Sequence, residues 1–463
     1  MTAGAMSVML ASAPASKGLK PGAACKSFAF DASGAMGGND GGVPRAPKTC
    51  VEEELKDSSL PNMVVPIREY LKPKRIRSFG DFSAMQPMDA PPSPPSSQSA
   101  WSQSSSVSGM SSEEEEEDAT SKIVAYKTKD IAKKQSLMEK VLLNTWDEKS
   151  EQGLFKYDVL KCPSKKIVGR YGFVAQLNEG RATKKRPTEF SMSKVVQAFD
   201  ENKFNFKKAK QDEVLFQFEV SADEYTSCFE DATHVKGNAS FVYINISPIE
   251  YGHVLLVPKV LKCLPQQMCA ESLLTALHMS VEVHNPCFKI GFNTLGAYAT
   301  INHLHFQGYF LNAPFPVECV PTEDVAGFKN KRDANMKLSQ LTDYPVRAFV
   351  FELGTDLEAL ACAVSDACNL LESKNIPYNL LIVDCGARVL MFPQRFDENK
   401  KEKTIPDSIL DTQVNPAAFE IGGHMVLKRK QDYDDITEEK VYELLSYASL
   451  SEGQFNEIRK ALL

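Results

Sequence analysis

The sequence predicts an α+β protein of two related halves, each with an antiparallel sheet and packed helices, behind a disordered N-terminal tail. Three observations carry this. From about residue 121 to the end, short β-rich runs alternate with amphipathic helical stretches; their order repeats once; and residues 1 to about 120 have a composition unsuited to a core.

The tail comes first. "GAMGGNDGGVPRAP" is Gly-rich, "QPMDAPPSPPSSQSAWSQSSSVSG" is Pro/Ser-rich, and Ser111 to Asp118 ("SSEEEEED") is a block of like charge. Such segments bury too little apolar surface to offset their ordering entropy. Within it, "NMVVPIREYLKPKRIRSF" mixes apolar and basic residues, and Lys72, Lys74, Arg75 and Arg77 suit either a solvated basic stretch or a partner-binding or nuclear-import segment. The opening "MTAGAMSVMLASAPASKG" lacks acids but also lacks Arg, so it fits a simple tail or a plastid transit peptide.

The first half spans residues 121–320. "SLMEKVLLNTWDEKSEQG" is helical, with Leu137, Val141 and Leu142 on one stripe. Strand-like runs follow at "YGFVAQL", "EVLFQFEV", "SFVYINISP" and "GHVLLVPKV". A helix is expected from about Pro265 to His284, with Leu273, Leu274, Leu277 and Val281 on its apolar face, then strands at "FKIGFNTL" and "TINHLHFQGYF". The second half, 321–463, opens on a polar loop from about Thr322 to Gln340 and repeats the plan. "YPVRAFVFEL" is a strand, "DLEALACAVSDACNLLESKN" a helix, "YNLLIVDCG" and "ARVLMFPQ" a hairpin turning at Asp384 and Gly386, and "IGGHMVLKR" a strand whose His424 echoes "YGHVLLVPK". Two helices close the chain, the last capped by Ser451 with Gln454 in the capping-box position.

Composition excludes several classes. A net charge of −7 and a pI near 5.7 argue against a general nucleic-acid binder, and no apolar run reaches the roughly 18 to 20 residues that span a bilayer. Eleven cysteines without a C-x-x-C pair suit reduced thiols in a cytoplasmic compartment and supply no zinc motif. No metal or other cofactor is expected.

In "TINHLHFQGYF", alternation puts His303, His305 and Gln307 on one face of an extended strand, with Leu304 and Phe306 on the other. Spacing alone allows two metal ligands, a nucleophile with orienting neighbours, or polar residues facing water.

Together with "GFNTLGAYATINHLHFQ", the order of Asn245, Pro248, Gly252 and His253 in "NISPIEYGHVLLVPK" resembles the histidine-triad superfamily, in its His-apolar-His-apolar-Gln transferase branch. Over roughly Val141 to Leu450 the chain is more closely similar to the plant-type GDP-L-galactose phosphorylases. The blocks carrying that resemblance are "YGFVAQLNEGRATKKRPTEF", "NKFNF", "SPIEYGHVLLVPKVLKCLPQ", "INHLHFQGYF" and "LDTQVNPAAFEIGGHMVLKRK". The resemblance implies a histidine-triad-like fold and a nucleotidyltransferase in which His305 attacks the guanylyl phosphorus of GDP-L-galactose. L-galactose 1-phosphate leaves, and inorganic phosphate then takes the GMP from the imidazole as GDP, a step of ascorbate synthesis. An imidazole is a good nucleophile near neutral pH. His303 would orient it, and Gln307, which cannot act as an acid, would donate to a phosphate oxygen, suiting phosphate as leaving group and acceptor.

Substrate binding is expected from Asn245, Asn293, Gly296 with the nearby backbone N–H groups, and the cluster Lys184, Lys185 and Arg186. Asn415 and Glu420 sit in a resembling block without an assignable role. A GDP-D-glucose phosphorylase, or another nucleotidyltransferase of the superfamily, is the nearest alternative; a nucleotide-sensing regulatory protein using its tail to recruit partners is the second class. Expected partners are a GDP-hexose and phosphate, with no nucleic acid and no membrane, in the cytoplasm and, through the basic segment, the nucleus.

Overall fold

β-Branched and aromatic runs form the strands of a computed structural model that describes residues 58–67, 135–184, 190–191, 193–222 and 226–463. In chain order they are β1 (Ser59–Pro66), β2 (Ser164–Lys166), β3 (Val174–Leu177), β4 (Val214–Ser221), β5 (Cys228–His234), β6 (Ser240–Ile244), β7 (Val254–Val257), β8 (Phe288–Asn293) and β9 (Phe306–Phe310). The second half adds β10 (Thr322–Asp324), β11 (Lys337–Leu341), β12 (Phe349–Glu352), β13 (Tyr378–Val383), β14 (Arg388–Pro393) and β15 (His424–Leu427). The helices that matter here are α1 (Leu137–Glu151), α2 (Glu179–Lys184), α3 (Ala270–Val283), α4 (Leu357–Ser373), α5 (Ala418–Gly422), α6 (Glu438–Ser446) and α7 (Glu452–Ala461).

The expected α+β class holds, and the halves meet more intimately than two separate sheets would. Twelve strands form one sheet in the order β10-β11-β12-β14-β13-β8-β9-β7-β6-β4-β1-β5. The halves join where β8 pairs with β13, Gly291 opposite Leu381. On either side of that seam the same unit recurs: three strands, a helix, then a hairpin inserted beside the third strand. In the first half these are β4, β6, β7, α3, β8 and β9; in the second, β10, β11, β12, α4, β13 and β14. Matching order in space as well as in sequence supports the repeat.

Four details differ from the sequence reading. The stretch from Thr322 to Gln340, expected as a loop, contributes β10 and most of β11. The His424 echo lies outside the repeat, because the counterpart of β7 is β12, whereas β15 joins a separate three-stranded sheet beside β3. Ser59–Pro66, placed in the disordered tail, is β1; it lies parallel to β4 and antiparallel to β5 and buries Leu60, Met63, Val64 and Val65. Its partners lie some 150 residues away, so no local pattern announces it. Finally, α3 starts at Ala270, not near Pro265, since the preceding residues pair with the His-bearing loop, Leu304 N–H donating to the Leu264 carbonyl at 2.7 Å. The transit-peptide candidate, Lys72, Lys74, Arg75, Arg77 and the acidic block lie outside the described residues.

One face of the sheet is covered by α1, α3 and α4, through Leu142, Leu273, Leu277, Leu360 and Val364 among others. The opposite face is covered in two pieces. Over the second half, Leu381 and Leu390 pack with Phe419 of α5 and with Leu444 of α6; over the first, a smaller cluster gathers Phe206, Phe241, Tyr243 and Val257. Gly291 makes the junction possible, because a side chain there would press on Ala418 and Phe419. A gap between the two pieces opens onto β9 and β7.

Candidate active site

Gln307, on β9, stands opposite Leu255 on β7 and Gly291 on β8, so its side chain rises from the sheet into that gap. The gap is a cavity of about 170 Å³ lined by His305 and Gln307 from the first half and by Asn415, Phe419, Glu420 and Lys428 from the second. One chain therefore supplies both walls.

The two histidines do not lie on the strand as expected. β9 begins at Phe306, and residues 300–305 approach it as an irregular segment. What fixes this segment is a side chain acting as a surrogate strand. Gln266, 2% exposed, accepts from the His305 N–H at 2.9 Å and donates to the His305 carbonyl at 3.1 Å and the Asn293 carbonyl at 2.9 Å. Asn302 reinforces it, accepting from the Gln266 N–H and donating to the carbonyls of Gln197 and Ala198.

The tautomer of His305 follows from its partner. Its Nδ1 lies 2.8 Å from the His303 carbonyl, which can only accept, so Nδ1 carries the proton and Nε2 keeps its lone pair. Burial pushes the pKa down to about 4 against the opposing pull of that carbonyl, so the ring is neutral at pH 7. The arrangement presents an unprotonated nitrogen to the cavity. His303 serves through its backbone: its side chain is fully buried and does not line the cavity, its Nδ1 accepts from the Phe206 N–H at 3.1 Å, and its pKa falls to about 3, chiefly through burial and then His305.

Gln307 is oriented from behind by His253. Nδ1 of that fully buried ring accepts from the Ile249 N–H at 2.8 Å, so its proton sits on Nε2, against the side chains of Asn245 and Gln307. Asn245 Oδ1 is engaged by the Ser247 N–H. Gln307 is then the neighbour with a free oxygen to offer, and turning it to His253 aims the amide N–H groups into the cavity. Burial, with Arg181 adding to it, holds the His253 pKa well below the usual histidine range.

The other expected binding residues divide. Asn245 lines the cavity. Asn293 lines it too, but its Oδ1 is occupied by Asn379 Nδ2 and the Ala418 N–H, so it anchors α5 to the sheet. Gly296 is not among the lining residues; its φ of +85° marks a turn, and Tyr298, Ala299 and Thr300 just beyond it form the wall. Lys184 ends α2, while Lys185 and Arg186 lie outside the described residues. Three other cations line the cavity: Lys156, Arg181 and Lys428. Arg181 donates to the Ser247 carbonyl and Lys428 to the Gln413 carbonyl. Burial lowers the Lys428 pKa, Glu420 opposes that and Arg181 adds to it, so Lys428, Glu420 and Arg181 lie within electrostatic reach of one another. Arg181 and Lys428 stand inside two of the quoted sequence blocks, but nothing in spacing told them from Lys184 to Arg186. His424 is structural, its Nδ1 meeting the Tyr309 hydroxyl at 2.8 Å. Among the described residues no group of His, Cys, Asp or Glu is placed to hold a metal ion, and no helix is long and apolar enough to cross a membrane.

The two halves of the chain match two family models, described as GDPGP1-like, N-terminal domain (residues 137–309) and GDPGP1-like, C-terminal domain (residues 316–463). The similarity is closer still to individual members. The chain is 50% identical over 324 residues to GDP-L-galactose phosphorylase 1 of Arabidopsis thaliana, covering 70% of this chain and 72% of that one, and 31% identical over 345 residues to human GDP-D-glucose phosphorylase 1, covering 71% and 84%. It belongs to the GDPGP1-like family. Among solved structures, yeast Ap4A phosphorylase Apa2 in complex with Ap4A aligns with a TM-score of 0.46 and 16% identity over 68% of this chain and 98% of its own.

Proposed function

We propose that this chain is a GDP-L-galactose phosphorylase acting through a covalent guanylyl-His305. The observation that carries the reading is His305, its Nδ1 held by the His303 carbonyl so that Nε2 is left bare, lining a cavity beside Gln307. Nε2 attacks the guanylyl phosphorus, the P–O bond to the hexose 1-phosphate breaks, and GMP remains on the ring. The proton stays on Nδ1, which keeps donating to the His303 carbonyl, and that hydrogen bond stabilises the imidazolium character that develops. Phosphate oxygen then attacks the same phosphorus, the P–N bond breaks, and GDP departs with the His305 lone pair restored. Both leaving groups are weak bases, so no general acid is needed; Gln307, Arg181, Lys428 and Lys156 stabilise charge on the phosphate oxygens.

GDP-L-galactose is favoured as donor over GDP-D-glucose by the identities of 50% and 31% to the two kinds of relative. Phosphate as acceptor fits the Gln at position 307. We place the enzyme in the cytoplasm, since all nine cysteines among the described residues are free; recruitment of regulatory partners or nuclear import would fall to the N-terminal segment. The test is incubation with guanylyl-labelled GDP-L-galactose without phosphate, followed by denaturation. Acid-labile label on His305, discharged as GDP when phosphate is added, is expected; phosphate-dependent turnover in H305N would sink the mechanism, and faster turnover of GDP-D-glucose would reassign the donor.

A further inference from the structure

The segment that carries Gln266 is itself gripped from the second half of the chain. Glu372 stands in the last turn of α4 and is 9% exposed. Its Oε1 accepts from the Met268 N–H at 3.1 Å and from the Tyr378 hydroxyl at 2.6 Å. Burial raises the pKa of this carboxyl, and the hydrogen bonds from Tyr378, Met268 and Gln267 oppose that. The segment ahead of α3 is thereby pinned at alternate residues. The Leu264 carbonyl accepts from Leu304, the Gln266 side chain holds the His305 backbone, and the Met268 N–H is held by Glu372. A second route leaves the same end of α4. Asn375 accepts from the Val195 N–H at 3.0 Å and donates to the Ser193 carbonyl at 2.9 Å. A few residues on, the Gln197 and Ala198 carbonyls hold Asn302, which accepts from the Gln266 N–H. Both routes converge on Gln266.

Resting on the nucleotidyl-transfer reading above, we infer that Glu372 is a positioning residue for the nucleophile: the second half sets, through this carboxylate, where Gln266 holds His305. Apolar packing alone leaves a segment free to slide, whereas an acceptor shared by two buried donors fixes it, because either donor left without a partner is costly. The frame behind the carboxylate is firm, since α4 packs on the sheet through Leu360, Val364 and Leu371. Glu372 is not among the residues lining the cavity. Its loss therefore acts on the approach of His305 to phosphorus and leaves nucleotide binding in place.

The test compares Glu372→Leu and Glu372→Gln in the full chain by three measurements: the phosphate-free rate of guanylyl-enzyme formation, GMP affinity, and amide hydrogen exchange at His305 against the β9 amides. Glu372→Leu removes the acceptor and should slow guanylylation by about 10- to 100-fold, the range expected for a nucleophile displaced by up to about 1 Å. GMP affinity should hold, and the His305 amide, which donates to Gln266, should exchange faster while the β9 amides do not. Glu372→Gln keeps an oxygen for both donors and should restore the rate and the protection. Should the leucine variant not fold, Glu372→Asp withdraws the acceptor by one methylene with the charge kept, and the same losses are expected. An unaltered guanylylation rate without the acceptor, a loss of GMP affinity matching the loss of rate, or a Gln variant as slow as the Leu variant overturns the assignment. In a protein that forms no guanylyl-enzyme at all, His305 exchange that quickens in Glu372→Leu and recovers in Glu372→Gln would keep the positioning role and overturn the proposed reaction.

Discussion

Replacing Gln266 with Met removes the surrogate strand that holds His305 while nearly preserving side-chain volume. Three buried backbone groups lose their partner: the His305 N–H, the His305 carbonyl and the Asn293 carbonyl. Each unsatisfied buried group costs about 1 to 3 kcal/mol. The low end is the better choice here because the adjoining cavity can admit water, giving roughly 3 kcal/mol of lost stability. The larger consequence is kinetic. Residues 300–305 have no ladder of their own, so the imidazole loses its fixed approach to phosphorus, and a misplacement near 1 Å costs about 100-fold in rate. Rapid-quench measurement of guanylyl-enzyme formation without phosphate should show about that loss, with GMP affinity little changed, and urea unfolding should report the stability term. Q266M with the unaltered guanylylation rate would refute the claim that this side chain positions the nucleophile.

Guanylyl-enzyme formation should stay flat as pH falls below 6.5 and decline only near pH 4 to 5, because burial holds the His305 pKa at about 4; an acid limb centred at 6.5 in the phosphate-free burst would contradict this. Acid stability follows from the same shifts. His253, His303, His305 and His424 all have native pKa values below the unfolded value of about 6.5, so the unfolded chain takes up protons first and stability is lost as pH drops from about 6.5 toward 4. Proton uptake on unfolding at pH 5.5, read by calorimetry in buffers of different ionisation enthalpy, should exceed one proton and shrink above pH 7. Lys428→Ala should raise the KM for phosphate by about 10-fold or more, as expected when a hydrogen bond to a charged group is lost, and the effect should weaken in high salt; an unaltered phosphate KM would remove Lys428 from the anion site. Truncation distinguishes β1 from the rest of the N-terminal segment: removing residues 1–57 should leave turnover intact, whereas removing 1–120 also removes β1, strips Met63 and Val65 from the core and should lower the unfolding midpoint, measured by urea titration.

The chemistry was legible in the sequence wherever it depended on local order. His-Leu-His-Phe-Gln singled out the segment from which His305 and Gln307 reach the cavity, periodicity located α3 and α4, and the repeated order of runs foretold the duplicated sheet. What lay beyond local order was set by tertiary structure. Alternation is usually the mark of a strand, but a side chain 39 residues away, Gln266, holds His305 in an irregular segment, and there His305 lines the cavity while His303 does not. Two of the cavity's cations, Arg181 and Lys428, come from α2 and from the residue after β15, which approach one another because β3 and β15 pair in parallel across 250 residues of chain. β1 was invisible because a strand inserted between distant partners needs no signal of its own beyond a short apolar run. Residue type and spacing thus determine which groups can react, since that is a property of side-chain chemistry; which charges and rings surround them depends on how two half-sheets close over a gap, and that is decided by packing.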